Sequence, residues 1–476
     1  MEITAYIVAA SLCALGAFAL RRRGAAAVIT SLFLLCQVGL ALWAGFNKGA
    51  TSPSYFTVDA LGLILLLCIT VVAVPAAVHS GILLREEQVK PSSRAVYASA
   101  LIMLVAALSL GYLSNHVALT WVFTEVTTLS AAMLIYHHRN KRALEGTWKY
   151  VFVCAISVSF VFIGILFMSL SLMHAGSLDL GYASLLAHAG EMDPFWMKLG
   201  FIFIVVGYTA KLGLFPMFTA GIDAKDTAPA PVGALLSSVL VNLGFVGVYR
   251  VYAVVRATPL AFWSRTMLVA LAFISLFVAT AYMIRVRNFK RMLAYSGIEH
   301  MSLVTLGVAA GGIGCYAAIL HLVMHTFVKS GLFLHFSQLF RVFRTRMLDE
   351  MGGYFDVSPF GALVLLLGFV GITAVPPSGL FISEFMIFRA MFGAGQYALL
   401  ALAVLLLTVL IWAFARSVFK IVFIPLEGRA APVETAKPSP WESVTQLALF
   451  CLATAIGFFP PASLVELIRE AAACIG

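Results

Sequence analysis

Apolar runs, each about as long as the ~20 residues an α-helix needs to cross a bilayer, succeed one another from residue 3 to residue 460. There are about fourteen of them, from 3–20 and 25–46 through to 397–424 and 441–460, with clusters of glycine, proline and charge between them. Composition closes the soluble alternative: 11% of the residues are charged, where a soluble chain carries about 25%. The expected fold is an all-α polytopic membrane protein of about 14 transmembrane helices. Its loops are too short for a nucleotide fold, a flavin site or an iron–sulfur domain, so any chemistry belongs inside the bundle. What remains is mostly transport or energy coupling.

Seven cysteines (Cys13, Cys36, Cys68, Cys154, Cys315, Cys451, Cys474) are scattered without a CxxC pair or a His/Cys pair at ligand spacing. They read as small apolar fillers, and neither a metal site nor a cofactor is expected in this chain. The net charge of +10 reads as membrane topology and not as a nucleic-acid partner. Basic clusters follow the odd-numbered runs: Arg21 to Arg23, then Arg85 with Lys90 and Arg94, Arg139 with Lys141 and Arg142, Arg285 with Arg287, Lys290 and Arg291, Arg341 with Arg344 and Arg346, and Arg416 onward. With basic loops inside, both termini lie outside an inner (cytoplasmic) membrane. The first run has only Glu2 before it and Arg21 to Arg23 after it, the reverse of a signal peptide, so it is expected to stay as a helix. Arg250, Arg256 and Arg265 fall on the outer side against the rule, and the sequence offers no reason for them. Residues 428–440, rich in Ala, Pro and Lys, read as a linker, and the short stretch after the last run leaves no space for a long lateral amphipathic helix.

A charge at mid-bilayer costs at least ~2.5–3.5 kcal/mol, so an ionisable residue inside a run is a functional candidate. Glu125 stands in NHVALTWVFTEVTTL with apolar neighbours on both sides; its plainer role is as a buried partner for a lysine. Lys149 in LEGTWKYVFV begins a run and is able to snorkel to the interface. Lys211 lies deeper, five residues before Pro216, where the helical ladder is interrupted. His321, His325 and Lys329 recur at i, i+4 and i+8, along one helix stripe. Metal binding there wants further ligands, such as the glutamate of an HExxH motif, and that motif is missing. A proton relay suits the stripe better, because histidine changes charge near neutral pH; the plainer alternative is packing histidines and a snorkelling lysine. Glu384 follows a second break, Pro376-Pro377-Ser378-Gly379, and Glu299 and His300 open a run, where either is able to be interfacial. Two broken helices, one in each half and each with an ionisable residue near the break, fit the inverted-repeat pattern of secondary transporters.

The runs KLGLFPMFTAGIDAKDTAPAPVGALLSS, RNFKRMLAYSGIEHMSL, HLVMHTFVKSGLFL and PPSGLFISEF resemble, in the same order, the motifs of the antiporter-like proton-translocating subunits. That family comprises the pumping subunits of respiratory complex I, the Mrp cation/proton antiporter subunits and the membrane subunits of group 4 NiFe hydrogenases. The resemblance covers about residues 55 to 425. Within the family, IYHHRNKRALEGTWKYVFVC, AYSGIEHMSL and PPSGLFISEFMI are most similar to the hydrogenase-4 component F branch of formate hydrogenlyase. Complex I subunits usually carry a lysine where this chain has Asn242, and subunits of the hydrogenase branch often lack it.

The resemblance implies two inverted five-helix repeats: residues 1–94 as N-terminal transmembrane helices, 95–256 and 257–425 as the two antiporter-like halves, and 426–476 as a loop, the last transmembrane helix and a short tail. It further implies that Glu125 and Lys211 form the charge pair of the first half-channel. His321, His325 and Lys329 would be the central and second-half relay, Glu384 the terminal group handing the proton outside, His300 a residue of the connecting axis, and Lys149 an aid to the inlet. Partners would be other membrane subunits and soluble redox subunits of a hydrogenase or complex-I-like assembly. Three departures bear on the first half-channel: Phe218 with Ala220 to Lys225 in place of a His and a Trp-Leu-Pro-Asp-Ala-His stretch, Asn242 for the lysine, and Asn288 for an aspartate. A cation (Na⁺)/proton antiporter subunit, a membrane scaffold with decayed channels and a relative coupled to inorganic-carbon uptake are the alternatives.

Overall fold

The computed structural model describes residues 2–21, 23–51, 54–425 and 440–474; Arg22 and most of the linker, 428–439, lie outside them. The first six helices are α1 (Ile3–Ala19), α2 (Arg23–Phe46), α3 (Ala60–Glu86), α4 (Pro91–Leu113), α5 (Val117–Ile135) and α6 (Lys141–His174). After the short α7 (Tyr182–Ala187) come α8 (Pro194–Leu212), α9 (Thr219–Thr227), α10 (Ala230–Ser237), α11 (Val239–Arg256) and α12 (Ala261–Arg285). The second half holds α13 (Phe289–Ala310), α14 (Ile313–Phe343), the one-turn α15 (Tyr354–Val357), α16 (Pro359–Ile372), α17 (Gly379–Gly393), α18 (Tyr397–Phe423), α19 (Pro440–Phe458) and α20 (Ala462–Ala473). Among the described residues, eleven helical segments are long and apolar enough to cross a membrane, α10 and α11 together counting as one, and α1 and α16 are shorter apolar helices. Among the described residues, the last run is followed by α20, of twelve residues.

The helices begin and stop for local reasons. Asp59, Asn140, Asp193, Asn288 and Ser378 each accept a hydrogen bond from an amide two or three residues on, which satisfies donors that a helix start leaves open. α8 stops at Gly213, whose φ of +79° is left-handed, and Pro216 prevents its continuation. α16 stops before Ala374, at φ +49°, and the Pro376-Pro377 pair separates it from α17. The single apolar stretch 359–392 thus becomes a pair of helices with a turn between them, and 195–220 becomes α8 and the turn that leads into α9. A third break falls inside 230–254, at Ser238, which parts α10 from α11 while its hydroxyl donates to the Ala234 carbonyl at 2.7 Å.

Burial separates the lipid face from the interior. The most apolar windows of α10–α11 and of α14 are wholly enclosed by other helices, whereas those of α2 and α18 are only 28% buried. Ion pairs sort the loops into two faces. On one, Lys48 meets Glu470 at 2.5 Å, joining the α2–α3 loop to α20. On the other, Arg341 at the end of α14 takes Glu86 of α3 at 2.7 Å and Glu442 of α19. Arg250, unexplained by topology, is a structural clamp: nearly buried, it pairs with Asp59 at 2.8 Å and donates to the Tyr112 and Ser114 carbonyls, tying α11 to the ends of α3 and α4.

Candidate functional site

The break after α8 leaves Lys211 in the last turn of that helix, 4% exposed. α11 presses against it, and Gly244 permits the contact: a β-carbon there would lie 2.8 Å from the Leu212 amide nitrogen and 2.9 Å from Lys211 Cβ. The ammonium donates to Thr128 Oγ1 at 2.8 Å and to Tyr150 Oη at 3.0 Å, and stands 5.2 Å from the centre of the Tyr150 ring. Glu125, one turn before Thr128, interacts with Lys211 electrostatically, but the two form no ion pair within 4.0 Å, and Glu125 Oε2 is sheltered without a hydrogen-bond partner among the described residues. Neutral hydroxyls, not the carboxylate, hold the lysine.

Lys149 lies at the rim. Its half-exposed side chain meets Glu145 at 2.6 Å and Asp223 at 3.9 Å, beside a cavity of about 140 Å³ that also touches Arg142, Asp226 and Arg291. Asp226 is the hub of that cluster, accepting from Arg142 at 2.9 Å, Arg291 at 3.1 Å and Asn288 Nδ2 at 3.0 Å. Asn288 therefore does two jobs that need an amide: it caps α13 with its oxygen and donates to Asp226 with its nitrogen. Phe218 packs its ring against Tyr282, 6.2 Å between centres.

In the second half, α13, α14 and α17 bring their polar residues together. Lys329 on α14 is fully buried and donates to Ser296 on α13 at 2.6 Å. One turn back, His325 lies 5.0 Å from His300 between ring centres, the rings tilted at 51°, and neither of its ring nitrogens has a hydrogen-bond partner among the described residues. His300 Nδ1 and His321 Nε2 share a hydrogen bond of 3.0 Å, and His321 Nδ1 bonds Ser383 on α17 at 2.9 Å. Glu384 follows Ser383, and a carboxylate oxygen lies within 4.8 Å of a ring nitrogen of His300 and of His321. The sequence pattern holds no further ligand for the α14 stripe, yet the fold supplies two, from α13 and α17. The 3.0 Å bond between the histidines nevertheless engages one nitrogen of each.

Two buried charges here have no signal in local sequence. Glu299 opens a run and has the look of an interfacial residue; it and His300 are in fact enclosed, at 2% and 0% exposure, because they stand midway along α13, which is buried over nearly all of its length. Lys225 follows a broken helix in a polar stretch, where a lysine is unremarked. It is 5% exposed, and its ammonium and that of Lys329 converge on Gly297: a β-carbon there would lie 3.9 Å and 3.7 Å from them. Asn242 faces the same interior, donating to Thr326 on α14 at 2.9 Å, while its Oδ1 is buried without a partner among the described residues.

The chain is similar along its whole length to proteins with this arrangement of helices. It is 28% identical over 446 residues to the hydrogenase-4 component F homolog of Methylacidiphilum infernorum, covering 92% of each. A chain of the membrane-bound sulfane sulfur reductase, an archaeal respiratory membrane complex, superposes with a TM-score of 0.87 at 21% identity, covering 99% of this chain and 97% of that one. A chain of respiratory complex I from Thermus thermophilus does so with a TM-score of 0.78 at 21% identity, covering 98% of each; at these identities the two establish the antiporter-like fold. Residues 114–410, which hold both broken helices and every buried ionisable group described above, match the family described as NADH:quinone oxidoreductase/Mrp antiporter, TM, and over more than half of its length this multi-pass membrane protein therefore belongs to that family.

Proposed function

We propose that the chain translocates protons, without redox chemistry of its own, as a membrane subunit of a multi-subunit redox-driven complex of the group 4 membrane-bound NiFe hydrogenase or formate hydrogenlyase type, or of an NADH-dehydrogenase-like complex. The single observation that carries this reading is the run Lys225, Lys329, His325, His300, His321 and Glu384: six ionisable side chains from α9, α13, α14 and α17, all buried, each approaching the next. Histidine accepts on one nitrogen what it donates from the other, and buried nitrogens without a partner, as on His325, are where water completes such a path. The hydrogenase branch is supported by the relative named hydrogenase-4 component F homolog, whose partners would here be other membrane subunits and soluble redox subunits.

Fourteen crossings follow if α1, α13 and the α16–α17 pair are added to the eleven apolar segments. In this topology the face bearing Arg142, Arg291 and Arg341 is cytoplasmic, both termini are outside, and residues 95–256 and 257–425 are the two inverted halves. Protons enter near Lys149 and Asp226 and leave past Glu384. The energetics suffice: moving one charge against 100 mV costs ~2.3 kcal/mol, which a change of about two pKa units in a buried group covers, at 1.36 kcal/mol per unit.

The test is proton pumping by the assembled complex in sealed vesicles. Lys329→Ala and His321→Ala are each expected to lower donor-driven proton uptake more than about 100-fold while subunit composition stays intact. Unchanged uptake in both variants would sink the proposal. Sodium flux without an electron donor would instead assign cation exchange, and loss of assembly alone would assign a scaffold.

A further inference from the structure

The basic residues of the α12 and α18 ends are accounted for by topology as residues of a cytoplasmic edge, but topology does not require them to converge. They do. Arg285 and Arg287, on either side of the α12 terminus, and Arg416 and Lys420, one turn apart on α18, line one cavity of about 510 Å³ between the two helices. Among the described residues Asp349 is the one acid lining it, and it is engaged by Lys420 at 3.1 Å. Among the described residues, Arg285, Arg287 and Arg416 have no acidic partner, so the groove is a site of net positive charge waiting for an anion.

Its surroundings say what kind of anion. α12 and α18 are among the least enclosed spans, with 39% and 28% of their apolar windows buried, so the groove opens sideways onto the bilayer rather than into the bundle. Lining the groove beside the cations, Ile284 and Trp412 are about half exposed, and Trp412 carries Arg416 over its ring at 6.0 Å. An amphipathic indole at the level of a basic cluster marks the headgroup zone, and basic pockets between helices on that side take anionic headgroups. Four cations and one acid leave three positive charges, more than a single phosphate neutralises. We propose that this groove binds an anionic phospholipid with two phosphates in its headgroup, a diphosphatidylglycerol-type lipid, whose acyl chains cover the exposed faces of α12 and α18.

The experiment uses the whole complex, purified gently and analysed by native mass spectrometry for retained lipid, then delipidated and titrated with mixed micelles of diphosphatidylglycerol, phosphatidylglycerol or phosphatidylcholine, and with inorganic pyrophosphate. Wild type is expected to retain diphosphatidylglycerol and to prefer it over phosphatidylglycerol, with phosphatidylcholine weakest. Arg416→Gln combined with Lys420→Gln is expected to weaken binding about 30-fold, at about 1 kcal/mol per cation and tenfold per 1.4 kcal/mol. Arg344→Gln, on the same face but outside the groove, is expected to change nothing. Should the double variant not assemble, brominated diphosphatidylglycerol reads the site in the unaltered groove: it is expected to quench wild-type tryptophan emission more than that of Trp412→Phe. Equal retention by the double variant and wild type would overturn the proposal. So would pyrophosphate binding as tightly as the lipid, which would make this a free-phosphate site, or an acidic segment of a neighbouring subunit occupying the groove in the intact complex.

Discussion

The two halves of the bundle break a helix in similar fashion and then keep different company around it. In the first, Lys211 is solvated by the hydroxyls of Thr128 and Tyr150, Glu125 stands apart, and the way toward the centre meets Asn242. In the second, Lys329 is followed by His325 and His321, each in contact with His300, and by Glu384. The difference lies in the chemistry of the linking groups. An imidazole passes a proton on by exchanging tautomers, whereas a carboxamide donates and accepts hydrogen bonds but neither gains nor loses a proton near neutral pH. Conduction in the proposed scheme thus starts at Lys225 on α9 and is carried on through the second half, with the Glu125 and Lys211 region of the first half tuning it electrostatically.

After Lys329 and His321, the largest expected effect falls on Lys225. It approaches the same glycine as Lys329 and neighbours Asp226, the hub of the rim cluster, so it connects that rim to the buried run. Lys225→Met keeps the apolar stem and removes the ammonium. Proton uptake by the assembled complex is expected to fall about tenfold, equivalent to about 1.4 kcal/mol of barrier. Uptake equal to wild type would mean that the second half fills from elsewhere.

Glu125→Gln sharpens the comparison from the other side. The structure leaves the carboxylate out of direct contact with Lys211, so the substitution removes a distant charge and not an ion pair. The expected loss of uptake is about threefold, or about 0.65 kcal/mol, measured in the same vesicles. A loss as deep as that of Lys329→Ala would show that the open arrangement closes during turnover and that the first half conducts.

Much of this was readable in the residues. Pro216 and the Pro376-Pro377 pair mark both breaks because proline denies the helix its donor, and an isolated glutamate or a His/His/Lys stripe in an apolar run stands out because water is the only cheap place for such groups. What could not be read is whatever depends on which helices surround which. Glu299 near the start of an apolar run and a similar residue at a membrane surface look alike in sequence; its place midway along α13 and enclosure by α14 and α17 separate them. Lys225 sits in a polar segment whose burial is decided by the folding of α9 against α13. Arg250 contradicts the charge rule for loops until Asp59 at the start of α3 and two carbonyls at the end of α4 are found beside it.

The smallest expected effect belongs to Asn242, and it bears most directly on whether the halves are joined. Its amide nitrogen donates to Thr326 Oγ1, but that hydroxyl already has an acceptor of its own in the Leu322 carbonyl at 2.8 Å. The carboxamide oxygen is buried with no partner among the described residues, a loss that offsets much of what the one bond contributes, since an unsatisfied buried acceptor costs about 1–3 kcal/mol and a typical hydrogen bond returns about 1. Replacement by leucine, close in shape, removes the bond and the orphaned oxygen together, so Asn242→Leu is expected to leave the melting temperature of the complex nearly unchanged and proton uptake within about twofold of wild type. If uptake collapses while the fold holds, the carboxamide must be ordering water across the centre of the bundle. The two halves would then be one pathway, with the asparagine as its narrowest point and not its end.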